Sequence, residues 1–140
     1  MSMHLEIRPD ADLLRVSATG DFSLEEAKRT FLEIMEAAAL YRTKQVLFDG
    51  RTVTGSPQTI ERFYYGEFAA QTVAQYQERG VSPATPFAYV LKEPVLDHEK
   101  FGETVAVNRG MRVRVFDKLE EALKWLATLA ANKPDAGDGH

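Results

Sequence analysis

The chain has 140 residues, 44% hydrophobic and 27% charged, with a formal net charge of −4 and no cysteine. That length suits one compact core, and an acidic balance with scattered basic residues argues against nucleic-acid binding, which calls for a basic face. Without cysteine there are no disulfides, thiol nucleophiles or thiolate metal sites, which suits a reducing compartment. A cytoplasmic location is expected, since residues 1–6 lack a secretory signal pattern. No apolar run approaches the roughly 20 residues that span a bilayer.

Leu5–Ile7 and Leu13–Ala18 read as strands, with Pro9, Asp10, Ala11 and Asp12 as the turn of a hairpin. Ser23 and Glu26 have capping-box spacing, with Phe22 placed to staple onto Ala27. The helix they open is expected to reach Tyr41, its stripe being Leu24, Ala27, Phe31, Ile34, Met35 and Ala38. Gln45–Phe48 is short and apolar, as a buried central strand is. Asp49-Gly50 reads as its end and the residues up to Pro57 as a polar loop. Ser56 then reads as an N-cap and Pro57 as the first residue of a second helix. That helix is expected to reach Arg79 and stop at Gly80.

Phe87–Leu91 is the next strand, broken by Pro94, and a helix is expected from about Asp97 to Val107. Asn108, Arg109 and Gly110 lead into a strand over Arg112–Phe116. Asp117 and Glu120 open a last helix with the stripe Leu119, Ala122, Leu123, Leu126 and Leu129 and Trp125 beside it. Residues 1–131 thus form one domain, and residues 132–140, with nothing to bury, a flexible tail. The order β-β-α-β-α-β-α-β-α predicts an α/β fold with a mostly parallel five-stranded sheet covered by helices.

In such a sheet the mouth of a strand-to-helix loop is the usual ligand or partner site. Asp49, Arg51, Thr54 and Ser56 are therefore candidate site residues. Asp49 is read as orienting a ligand, as holding Arg51, or as bonding amides of its own turn. Ser56 is read as a plain cap or as a phosphate acceptor, where about −1.5 to −2 charge would sit at a helix N-terminus that favours anions.

The second helix is apolar along three lines: Ile60, Tyr64 and Phe68; Phe63, Ala70, Val73 and Ala74; Tyr65, Ala69 and Tyr76. One stripe is enough to dock a helix on a sheet. The surplus in Phe63, Tyr64, Tyr65 and Phe68 is expected to cover a neighbouring helix, a dimer partner or a nonpolar ligand. His4, His98 and His140 do not cluster, and Asp97, His98 and Glu99 in succession point in three directions around a helix. No nucleophile–base pair, H-E-x-x-H or phosphate-loop spacing can be read. No catalysis, metal or cofactor is expected.

The element order, Asp49-Gly50-Arg51 after the third strand, Asn108-Arg109-Gly110 before the last, and the ending Val113–Leu126 (VRVFDKLEEALKWL) resemble the STAS-like, SpoIIAA-like domains of bacteria. The resemblance covers residues 4–129 and implies a small cytoplasmic α/β domain. In anti-sigma-factor antagonists of that fold, the loop after the third strand carries an Asp-Ser pair whose serine is phosphorylated, and the next helix docks the partner kinase. Ser56 lies near that place, following Gly55 rather than an aspartate. For other members the resemblance implies a nonpolar molecule held between sheet and helices.

The expected function is a non-catalytic regulatory or protein-interaction module, homodimeric, working through the Asp49–Pro57 loop and the second helix. The alternative is a carrier of a small nonpolar, lipid-like molecule, with its polar end at Asp49 or Arg51, in an apolar pocket of at least about 300 Å³; the third, behind both, is an enzyme of unknown reaction dependent on Asp49.

Overall fold

Alternating apolar and polar residues make β1 (His4–Asp10) and β2 (Leu13–Asp21) an antiparallel hairpin, paired from His4 with Thr19 to Asp10 with Leu13. The structure, a computed structural model, describes residues 3–132. After the hairpin come α1 (Leu24–Tyr41), β3 (Gln45–Thr54), α2 (Thr59–Gln75) and a 3-10 turn over Tyr76–Arg79. Then follow β4 (Pro86–Leu91), α3 (Phe101–Asn108), β5 (Arg112–Phe116) and α4 (Leu119–Asn132). The sheet runs in chain order, β1-β2-β3-β4-β5, with only the β1–β2 pair antiparallel. The expected α/β fold and element order are present.

Period-2 alternation splits the strands between two layers. Val46 and Phe48 of β3 face a large core built with α1, α2 and α3, whereas Leu47 faces a smaller one under α4 with Ala88, Val90 and Phe116. β4 is buried from Pro86 to Val90, as a strand covered on both faces must be. Phe31 of α1 is the hub of the larger core, with ring centroids 5.9 Å from Phe87, 6.1 Å from Tyr65 and 6.4 Å from Phe68.

Several boundaries differ from expectation. Asp49-Gly50 does not end β3, because Thr52, Val53 and Thr54 go on to pair with Thr19, Gly20 and Asp21 after a register shift. The expected Asp49–Pro57 loop therefore shrinks to Gly55–Gln58. Gly50 serves packing: a Cβ there would lie 2.7 Å from Phe48 Cε1 and 2.9 Å from Leu91 Cδ2.

Ser56 does not cap α2, and Pro57 is not its first residue. Gln58 occupies the N-cap, its amide donating to the Glu61 carboxylate at 2.8 Å. At α1, Ser23 does accept from the Glu26 amide at 3.2 Å. The Glu26 carboxylate instead takes the Met3 amide (3.1 Å) and Arg29 (2.8 Å), so the box is half made. The α2 helix stops at Gln75 rather than Arg79, with Gly80 at φ 92° closing the 3-10 turn. The α3 helix begins at Phe101 rather than Asp97, whose carboxylate accepts from the amides of Glu99 (3.2 Å) and Phe101 (2.8 Å) and holds a turn. Of the expected tail, Asn132 ends α4 and residues 133–140 lie outside the described residues.

The 3-10 turn is fastened to α1 by Glu36, which accepts from both Arg79 Nη atoms at 3.0 Å and from the Tyr76 hydroxyl at 2.5 Å. Hydrogen bonding from Arg79, then from Tyr76, lowers the Glu36 pKa from an ordinary 4.5 to about 2. A depressed carboxylate contributes stability above its unfolded value and loses it as pH falls through the folded one. The melting-temperature gap between the wild type and Glu36→Gln is thus expected to hold above pH 4.5 and close on acidification to about 2. A gap unchanged across that range would show that the ion pair does not tie the turn down.

Candidate functional site

An apolar, partly open cavity of about 130 Å³ lies between the sheet and the layer of α1, α2 and α3. Phe48, Tyr89 and Val115 supply its sheet side, and Tyr65, Ala69 and Ala106 its helical side. Its volume is less than half the roughly 300 Å³ set for a lipid-like cargo. Most polar groups on the wall are committed. Thr30 Oγ1 donates to the Ala27 carbonyl (2.9 Å), and Arg62 donates to the carbonyls of Pro94 (2.9 Å) and Val95 (2.7 Å). Glu103 accepts the Val115 amide at 2.6 Å.

Inside this apolar wall the hydroxyls of Tyr65 and Tyr89 meet at 2.6 Å. Tyr89 is 7% exposed and Tyr65 half-buried. Their rings stand edge to face at 6.4 Å, with Phe48 lying 4.7 Å from the Tyr89 ring. Burial pushes the pKa of both phenols above the ordinary tyrosine value, so both keep their protons at physiological pH.

The candidate residues from the sequence do not gather in one place. Asp49 follows Leu47 on the α4 side of the sheet, opposite the cavity. It accepts Arg51 Nε at 2.9 Å, Nη2 at 2.8 Å and the Arg51 amide at 3.2 Å. The Arg51 side-chain bonds are the main cause of its lowered pKa. Thr54 donates to Asp21 across β2 and β3. Ser56 is exposed. Tyr65 and Phe68 pack on the larger core.

Phe63 and Tyr64 turn the other way. Tyr64 is 46% exposed, its neighbour one turn back, Ile60, 50%, and Phe101 of α3 37%. Phe63 bridges them, 5.5 Å from the Tyr64 ring and 6.5 Å from that of Phe101, with the Arg109 guanidinium 5.3 Å from its centre. A surface cluster of large apolar residues is the usual mark of a docking site.

Sequence reasoning named neither Tyr89 nor Phe101 as a site residue. A signal existed for Tyr89: its hydroxyl sits within the otherwise apolar run Phe87–Leu91, so it had to find a partner inside the core. Phe101 carried none, because its pairing with Phe63 depends on how α3 lies against α2. Among the described residues, no three His, Asp or Glu side chains stand together as metal ligands, and no helix is long and apolar enough to cross a membrane.

Solved structures match this fold along nearly its whole length. An anti-sigma factor antagonist from Mycobacterium paratuberculosis superposes with a TM-score of 0.56 at 15% identity, over 90% of this chain and 95% of its own. An uncharacterised DUF3478-family protein with a SpoIIAA-like fold from Shewanella loihica gives 0.50 at 15% identity, over 89% and 94%. No family model matches the sequence, and no curated protein does. The chain has the SpoIIAA-like, STAS-like fold, as its sequence resemblance implied.

Proposed function

We propose that this chain is a non-catalytic regulatory module that acts by docking protein through the surface of Ile60, Phe63, Tyr64 and Phe101, with a second copy of itself as the first partner. The supporting observation is that surface: four large apolar side chains from two helices, three of them aromatic, with Ile60, Tyr64 and Phe101 exposed and the half-buried Phe63 ring between those of Tyr64 and Phe101. Aromatic anchors of this kind carry most of the free energy in protein interfaces. A fold shared with a protein named as an anti-sigma factor antagonist supports a regulatory role.

Sedimentation velocity tests the reading. Wild type is expected to self-associate, and the double variant Ile60→Ala/Tyr64→Ala to weaken that by at least about tenfold, near 1.4 kcal/mol. Leu40→Ala, at a 73% exposed residue on the far end of α1, is the control and should associate as wild type does. Equal association by all three would reject this surface.

Ser56 lies exposed just before α2 and is free of the capping role. A phosphate there would place about two negative charges beside the same surface. Ser56→Asp is accordingly expected to alter self-association; sedimentation identical to wild type would remove Ser56 from the proposal.

A further inference from the structure

The Tyr65–Tyr89 pair has an uneven hydrogen-bond balance. Two phenols bring two O–H donors, yet only one hydrogen fits between oxygens 2.6 Å apart. Among the described residues no acceptor receives the other. Buried tyrosine hydroxyls ordinarily find a partner, and each exception calls for an explanation. Here both residues line the cavity, whose other walls are mainly ring and methyl groups. A lone water would need two to four polar partners to sit well in a largely apolar wall, where Thr30 is already turned to the Ala27 carbonyl, Arg62 to those of Pro94 and Val95, and Glu103 to the Val115 amide.

We propose that the cavity is a binding site for a compact apolar molecule carrying one oxygen acceptor, such as a cyclic ketone, whose oxygen takes the spare hydroxyl proton of the Tyr65–Tyr89 pair. Size sets the upper limit. A dry protein cavity of about 150 Å³ takes up benzene, so about 130 Å³ admits roughly six to eight non-hydrogen atoms. A lipid chain is too large for it. Burial raises the pKa of both phenols, which keeps the donor in place across the physiological range. Phe48, stacked beside Tyr89, offers a ring face for the apolar body. The site is independent of the docking surface, since none of Ile60, Phe63, Tyr64 and Phe101 lines the cavity.

The test is an NMR titration of the full chain with cyclohexanone and with methylenecyclohexane, which has the same shape but no oxygen. In wild type, cyclohexanone should move the amide signals of Phe48, Ala69, Tyr89 and Ala106. Its bound carbonyl carbon should lie downfield of its position in cyclohexane, as a hydrogen-bonded ketone does. The affinity ratio of ketone to alkene should fall by about fivefold in Tyr65→Phe/Tyr89→Phe, the value of one hydrogen bond. Silent cavity amides, a carbonyl signal unmoved from its cyclohexane position, or a ratio unchanged by the double substitution would each overturn the proposal. The wild-type carbonyl reading stands even if the double variant does not fold.

Discussion

Phe31→Ala is expected to cost about 3–5 kcal/mol, enough to remove much of the stability of an ordinary domain. Phe31 is 0% exposed and joins three elements, touching Tyr65 and Phe68 of α2 and Phe87 of β4. Its loss leaves a void between sheet and helical layer that backbone held on both sides cannot close. Urea unfolding is the direct readout. The adjacent Leu32→Ala, at a position 42% exposed, should stay within about 0.5 kcal/mol of wild type. Equal costs at the two positions would mean that Phe31 is not the hub of the core.

Gly66→Val should come next, at about 3 kcal/mol. α2 and α3 cross where Gly66 meets Gly102, and a Cβ on Gly66 would lie 2.6 Å from the Gly102 carbonyl oxygen and 3.3 Å from Val105 Cβ. The nearer obstacle is backbone, so relief requires α3 to move away. Overpacking ordinarily costs 1–3 kcal/mol, and a branched side chain against backbone belongs at the upper end. Gly66→Ala should lose less, because alanine regains about 1 kcal/mol of helix propensity. Shifting α3 also carries Phe101 away from Phe63, so Gly66→Val should weaken self-association as well. A valine variant as stable as wild type would show that the crossing has slack.

These two positions mark how far the sequence could be read. Phe31 was legible, since the 3.6-residue recurrence of Ala27, Phe31, Ile34 and Ala38 needs no tertiary information. The hairpin and the strands Phe87–Leu91 and Arg112–Phe116 were legible from strand and turn signals that are equally local. Gly66 was not, because what it meets is 36 residues along the chain. Asp49-Gly50 misled because a turn and a close packing contact both select glycine, and only the pairing of Thr52–Thr54 with β2 decides between them. Ser56-Pro57 misled in the same way: two acceptable start signals stood within three residues, and Gln58 with Glu61 took the cap.

At the site, the surplus of aromatics on α2 was plain, but their division was not. Tyr65 and Phe68 turn inward to Phe31, while Phe63 turns to Phe101 and Tyr64, beside Phe63, to solvent. That choice depends on the roll of α2 over the sheet, which no local pattern records.

In the proposed function, the outward half of α2 with α3 is where this chain meets its partner. A dilution series of amide NMR spectra on the wild-type protein tests it most directly. Concentration-dependent shifts should be confined to residues 59–66 and 101–107. Spectra that do not change with concentration, or changes centred on Leu40 and Tyr41 at the end of α1, would contradict it.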